Sequence, residues 1–392
     1  MKVGYLIFNS SGEQDYCGTA DSSFLNYEEI KKLTSNNTGN LMFKYAARRL
    51  FKNDVFYIKY SDDPDLIRDK FDVLVLPEAN LINPSVNYAK QASFVAKLDK
   101  PTLLLGVGAQ AKDIVGAEEF PPIPEGTISF LKEVSKRTPN IFCRGEFTKS
   151  IIKSMGIDNV LAIGCPTFMI NPTNTLWENI LSKPQGNILK KLSVTEGVYP
   201  VVKRTDSLNN TERFLFDQVL YNDAHYVAQC QISVLKIGFG LEEEVERNNL
   251  NNLRRYLAPH SDLDKFSNKL LLNSRSFSRV DNWLNYARSR TGFCGTRIHG
   301  NMVAIQSAVP SLPVAHDSRT KELCQIMRLP FITPENFDDI RSKSDLIAAY
   351  DVVYDSNAND LDAFRSEVAK IYIEHIEMLG LNPSNNLLNV VK

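Results

Sequence analysis

The strongest constraint in this sequence is a rhythm. Short apolar runs at 3–8, 55–58, 73–76, 102–105, 140–143 and 160–163 recur through the first 170 residues, and segments of helical spacing at 41–51, 88–98, 127–136 and 146–155 fall between them. A half-buried strand alternates apolar and polar residues. These runs are nearly continuous, as a sheet covered on both faces requires. Strands interleaved with helices predict a parallel, doubly wound α/β domain. A second series follows, with strands at 198–202, 225–228, 270–272, 293–295 and 312–315 and helices at 212–222, 241–257, 283–287, after residue 298, and at 320–327. At 392 residues the chain exceeds what one core usually fills. The expected architecture is two Rossmann-like domains facing a cleft: 1–170, a linker at 171–197 bearing Pro172, Pro184 and Gly186, then 198–358. A C-terminal helix and tail at 359–392 should pack across the body.

In such sheets ligands bind beyond the carboxyl ends of the strands, so the chemistry is sought there. Residues 293–301, Phe-Cys-Gly-Thr-Arg-Ile-His-Gly-Asn, read as strand, tight turn and helix start. A helix start offers unpaired N–H groups and the positive end of the dipole. With Arg297 and His299 added, it suits a carboxylate or phosphate. The neighbouring strand tip is His316-Asp317-Ser318-Arg319. Ser318 can cap the helix that follows; His316 and Asp317 can take a proton from an acceptor, and Asp317 can equally cap that helix. In the first domain, Gln110 follows the glycine turn Gly106-Val107-Gly108, and Arg144 directly follows a buried strand. Arg144 either meets a ligand or pairs with a local carboxylate such as Glu146. Gly39 and Asn40 lie in an Asn/Gly turn before a helix, where capping by Asn37 or Thr38 is the simpler reading. The glycine turn is not a dinucleotide fingerprint, because the third glycine is missing and no helix follows until about residue 127.

Composition narrows the function classes. The chain has 45 basic and 46 acidic residues, a formal charge of −1, which argues against a protein built mainly to grip nucleic acid. Its six cysteines form no CxxC pair and are expected as free thiols. His225, His260 and His375 lack ligand spacing, so no metal is expected. The first apolar run is too short for a signal peptide, and no run of 18 apolar residues exists to span a membrane. A cytoplasmic location is expected, with peripheral membrane association and homo-oligomerisation left open.

The stretch from Gly295 to Met302, with Ala308-Val309-Pro310 after it, resembles the C-terminal signature of the polysaccharide pyruvyl transferases, and Ala315 to Leu323 continues that likeness. Asn37-Thr38-Gly39-Asn40, Gly106 to Gln110, Cys143 to Glu146 and Gly164-Cys165-Pro166 resemble the family's earlier blocks in order. The resemblance runs over about residues 35–330. It implies a fold of the two-domain glycosyltransferase-B kind. It also implies a phosphoenolpyruvate donor, no cofactor, and a pyruvate ketal formed on a sugar of a cell-surface polysaccharide or its precursor, with release of phosphate. By the same resemblance Arg297, Ile298 and His299 hold the donor with a further arginine, mapped onto Arg144. Thr296, His316, Ser318 and Arg319, at the same strand tips, are expected around it. Arg144-Gly145-Glu146 departs from the Arg-Asp or Arg-Glu of many relatives. His299 would either protonate the enol carbon or only hold phosphate. The acceptor is expected to be lipid-linked or polymeric, received by loops near 9–35 and 111–126. Two readings of other kinds stand beside this one: a glycosyltransferase using a nucleotide sugar, since fold does not fix chemistry, and a non-catalytic glycan-binding relative.

Overall fold

Strands β3 (Val73–Pro77) and β4 (Thr102–Leu105) are buried along their whole length, as their unbroken apolar sequence requires. They belong to a parallel sheet with β1 (Val3–Leu6) and β2 (Val55–Ile58), in the order β2-β1-β3-β4. Strands β5 (Ile141–Cys143) and β6 (Val160–Ala162) pair in parallel and extend this layer through a bridge between Val107 and Cys143. The computed structural model describes residues 1–6, 26–34, 36–111, 113–183, 185–197, 205–356 and 361–392.

The second sheet is built from β7 (Leu192–Thr195), β8 (His225–Val227), β9 (Ser274–Arg275), β10 (Gly292–Gly295) and β11 (Ser311–Pro313). Its order is β11-β10-β7-β8-β9, and every pair is parallel. The chain is thus α/β with two Rossmann-like halves. In both halves the strand order reverses beside the first strand, between β1 and β3 and between β7 and β10. A doubly wound sheet opens its ligand crevice at that reversal.

Five helices position the site and join the halves: α1 (Asn40–Arg48), α2 (Glu146–Ser154), α3 (Ile298–Gln306), α4 (Ser318–Ile326) and α5 (Leu361–Met378). Helix α5 returns to the first half, as expected of the tail. Its Arg365 is fully buried and donates to the carbonyls of Phe168 (3.1 Å), Thr173 (2.8 Å) and Asn171 (2.6 Å). Tyr372 packs edge-on against Phe142, ring centroids 5.3 Å apart. Beyond α5, Asn382 N–H donates to Asn53 Oδ1 (2.7 Å) and Ser384 N–H to the Leu50 carbonyl (2.9 Å).

Two stretches differ from the sequence-based expectation, and a third is not among the described residues. Residues 270–272 are not a strand but part of the helix Leu263–Asn273, which buries Phe266 and Leu270 and leaves Leu271 and Leu272 46% and 67% exposed. A short apolar run cannot by itself separate a buried strand from a helix turn. Here Asp262 caps the helix, accepting from Lys265 N–H at 2.7 Å, and the strand comes just after. The expected linker, 171–197, contains the helix Leu176–Leu181 and β7, the central strand of the second sheet. Serine and threonine in β7 break its apolar run, yet Ser193 is buried, its hydroxyl bonded to that of Tyr286 at 2.8 Å. The strand expected at 198–202 lies outside the described residues.

The five described cysteines are free, and all but Cys230 are buried. Cys17 lies outside the described residues. Among those residues no helix is long and apolar enough to cross a membrane.

Candidate active site

Strand β10 ends at Gly295, with φ +148°. A Cβ there would lie 2.3 Å from Thr195 Oγ1 and 2.7 Å from the Thr195 carbonyl oxygen, so only glycine lets β10 lie against β7 at this tip. The turn makes Arg297 the N-cap of α3, with its N–H donating to Thr195 Oγ1 (3.2 Å) and no side chain capping the helix. The first-turn N–H groups of α3 therefore stand at the crevice as anion donors.

His299 is buried on the first turn of α3. The Phe43 ring of α1 packs 5.9 Å from it, and a Cβ on Gly39 would come 3.2 Å from the His299 Cβ. The Asn/Gly turn before α1 thus forms the opposite lip, and its Thr38 N–H donates to the Gln229 carbonyl (2.9 Å) across the domain boundary. Asn37 Oδ1 accepts from Gly39 N–H at 2.9 Å and closes the turn, but the expected cap by Asn37 or Thr38 is not made: Gly39 is the N-cap of α1 and no side chain caps the helix. Asn40 turns away, donating to the Thr34 carbonyl at 2.7 Å.

Arg144 leaves β5 with its N–H on the Val107 carbonyl (2.8 Å) and its Nε on the Gly106 carbonyl (3.0 Å). Gly108 makes room for it, since a Cβ there would lie 2.8 Å from the Arg144 Cδ. No ion pair with Glu146 forms; Glu146 meets Lys149 at 3.1 Å. At the next tip, Asp317 caps α4, accepting from Thr320 N–H (2.9 Å) and Thr320 Oγ1 (2.8 Å), and pairs with Arg319 Nη2 at 2.6 Å. Ser318 is not the cap. It is buried, and its hydroxyl accepts from Ala111 N–H at 3.1 Å across the boundary.

Several buried polar atoms at these tips have no hydrogen-bond partner among the described residues: Arg144 Nη2, Arg297 Nε, His299 Nε2 and His316 Nδ1. Native interiors rarely leave such groups unpaired, and each carries a desolvation cost. The electrostatics tie them together. Burial, then Arg144 and Arg319, push the His299 pKa down to about 3. Burial also lowers His316, with Arg297 and Arg319 working against the nearby Asp317. Burial opposes the Arg297 charge, but acidic neighbours such as Glu196 and Glu212 outweigh it and hold its pKa above the ordinary value. Burial raises Asp317, but Arg319 and His316 outweigh that and hold it well below the usual carboxylate range.

The structure brings Arg144, Arg297, His299, His316, Asp317 and Arg319 together. Thr296 is buried, its hydroxyl between Glu212 Oε1 (3.3 Å) and the Glu196 carbonyl oxygen (3.4 Å). Ile298 packs against the core. Gln110 is exposed, accepting from Asn80 and from Asn83 Nδ2 (3.2 Å), and is not part of the cluster. Three residues escaped the sequence reading. Glu196 is buried behind Arg297 and accepts from the N–H groups of Gln229, Cys230 (2.9 Å) and Gln231 (2.7 Å). Gln229 is buried with Oε1 unpaired among the described residues. Glu322 is buried at the boundary. The signal for Glu196 was its place directly after β7, hidden because that segment read as linker. His225, His260 and His375 bond instead to Tyr286, Asp217 and the Ile371 carbonyl. No three His, Cys, Asp or Glu side chains cluster to hold a metal ion among the described residues.

Fold and site together define a two-domain α/β protein that gathers cationic and helix-terminal donors where the strand tips of both halves meet. The chain belongs to the polysaccharide pyruvyl transferase family, whose model matches residues 37–318, so the resemblance read from the motifs is borne out. No curated protein matches it. Among solved structures it is similar to the S. aureus MnaA–UDP co-structure, at 9% identity over 98% of this chain and 99% of that one, TM-score 0.43. It is also similar to the UDP-GlcNAc 2-epimerase of Neisseria meningitidis bound to UDP-GlcNAc, at 10% identity over 96% and 100%, TM-score 0.45. At that distance neither likeness bears on substrate.

Proposed function

We propose that this protein transfers the enolpyruvyl group of phosphoenolpyruvate to sugar hydroxyls of a cell-surface polysaccharide or its precursor, forming a pyruvate ketal in the cytoplasm. The observation that carries the reading is the set of buried polar atoms on Arg144, Arg297 and His299 that have no partner among the described residues, around the uncapped start of α3. Phosphoenolpyruvate presents a carboxylate and a phosphate close together, and two guanidinium groups with a helix N-terminus complement both. The reading assigns no cofactor, since the donor supplies the group transferred.

The chemistry requires a proton to add to the methylene carbon of the donor. A sugar hydroxyl then attacks C2 and loses its proton, the C2–O bond to phosphate breaks, and a second hydroxyl closes the ketal. Of the two hydroxyl protons, one replaces that given to the carbon and the other leaves with phosphate. With a pKa near 3 in the protein alone, His299 is neutral at pH 7. A bound anion offsets Arg144 and Arg319 and raises that pKa toward the range of a general acid. Asp317, held ionised and occupied by Thr320 and Arg319, serves as an anchor for Arg319 rather than as the acceptor's base.

Phosphate release from phosphoenolpyruvate, measured with candidate acceptors present, tests the reading. A rise in melting temperature with phosphoenolpyruvate and none with nucleotide sugars is the expected companion result. Stabilisation by a nucleotide sugar alone would overturn it in favour of glycosyl transfer, and binding of glycan with no turnover would favour a binding module.

A further inference from the structure

The two halves touch directly beneath Arg144. Glu322 projects from α4 of the second half to the N-terminus of α2 in the first. Its Oε2 accepts from Thr148 N–H at 3.0 Å, the third residue of α2, and its Oε1 accepts from the Thr148 hydroxyl at 2.6 Å. The same hydroxyl accepts from Ala109 N–H at 3.0 Å, in the loop that carries Gly106 and Gly108 against the Arg144 side chain. Helix α2 has no cap of its own, because its N-cap is Gly145. A Cβ at Gly145 would stand 2.7 Å from the Glu322 Cβ and 2.8 Å from Oε2, so the glycine between Arg144 and Glu146 is what admits the foreign carboxyl. One side chain of the second half therefore caps the helix that begins two residues after Arg144, and through Thr148 it also fixes the loop on which Arg144 rests.

We propose that Glu322 is a positioning residue: it caps α2 across the domain boundary and thereby holds Arg144 in register with Arg297 and His299. The positioning claim rests on the donor reading of Arg144 given above, whereas the cap stands without it. The groups facing the Glu322 carboxyl are Thr148 on α2, Arg144 and Cys143 at the end of β5, and Asp317 on its own helix. Burial chiefly pushes the Glu322 pKa up to about 7, against the Thr148 bonds and Arg144. A carboxyl whose pKa is raised by folding contributes its stability in full below the ordinary carboxylate value, near 4.5, and loses it as pH rises through 7. Glu322→Gln keeps an acceptor for Thr148 N–H and offers a donor to the Thr148 oxygen, so it should hold the boundary at every pH.

The experiment is hydrogen–deuterium exchange on the full chain, read at Ala109 and over the first turn of α2, together with titration by phosphoenolpyruvate. Glu322→Ala should speed exchange at both places at least tenfold and weaken phosphoenolpyruvate at least tenfold. Glu322→Gln should match wild type within about twofold in both and lose the wild-type difference between pH 5 and pH 8. Thr148→Val, which keeps the N–H and removes only the hydroxyl, should speed exchange at Ala109 even if Glu322→Ala folds poorly. Unchanged exchange at Ala109 and Thr148 in Glu322→Ala, or at Ala109 in Thr148→Val, overturns the cap. Faster exchange with undiminished donor affinity overturns the positioning role. Wild-type protein that takes up no phosphoenolpyruvate overturns both the donor reading and the positioning role, while the exchange result still decides the cap.

Discussion

His299 shows how much of this site is electrostatic. An unperturbed histidine titrates near neutrality, yet burial and two arginines hold this one neutral far below pH 7. If it is the proton donor to the enol carbon, His299→Ala should lower kcat by roughly 10²–10⁴-fold and change phosphoenolpyruvate affinity far less. Comparable losses in both would make it a phosphate ligand only. The depressed pKa also has a stability consequence. The unfolded chain takes up this proton near the ordinary value of 6.5 and the folded one only near 3, so folding stability is present above pH 6.5 and falls as pH drops toward 3. In a Glu322→Gln background, which removes the opposite contribution of that carboxyl, urea melts at pH 7 and pH 4.5 should show that loss, and adding His299→Gln should lessen it. Arg297 answers to a different measurement. Removing a charge-assisted contact costs on the order of 1.5–3 kcal/mol, so Arg297→Ala should weaken phosphoenolpyruvate roughly 10- to 150-fold by calorimetry. Equal affinity in the two proteins would sink its assignment.

At the scale of elements, the turn from β10 into α3 was legible because its signals are local: a glycine, a basic pair, then an apolar run with helical spacing. The strand tips at Arg144 and His316 were legible for the same reason. Glu196 and β7 were not, because Ser193 and Thr195 are polar and their hydroxyls are answered inside the core by Tyr286 and by Arg297 N–H, each about a hundred residues away. Residues 270–272 misled for the converse reason, being apolar enough for a strand while the cap at Asp262 set a helix. Gly145 was visible as an oddity, but its cause, a carboxyl from another domain, was not local. Gly145→Ala should therefore destabilise the protein by roughly 1–3 kcal/mol, as overpacking does, and the penalty should shrink when Glu322→Gly, which removes the Cβ that a Gly145 side chain meets at 2.7 Å, is present too. A double-mutant cycle on chemical denaturation checks this, and strict additivity would refute the contact.

For the molecule as a whole, two halves are bound into one by α5. Arg365 answers three carbonyls from the segment that leaves the first half, and its loss would strand them at roughly 1–3 kcal/mol apiece. Arg365→Ala should lower stability by about 3 kcal/mol or more in a denaturant melt, and a loss below about 1 kcal/mol would show that solvent reaches those carbonyls. The two-layered series of strands was readable from apolar rhythm, and so was the returning helix. What no local pattern reveals is where the returning helix lands. It lands on Phe142 and, just beyond its end, near Asn53 and Leu50, so the first half is finished by residues made long after it. During synthesis on a ribosome, that half waits unsealed, with the Phe142 face open, until some 200 further residues have emerged. Expressing the first half alone reproduces that unfinished condition permanently, whereas supplying α5 and the following residues on a short tether supplies the seal.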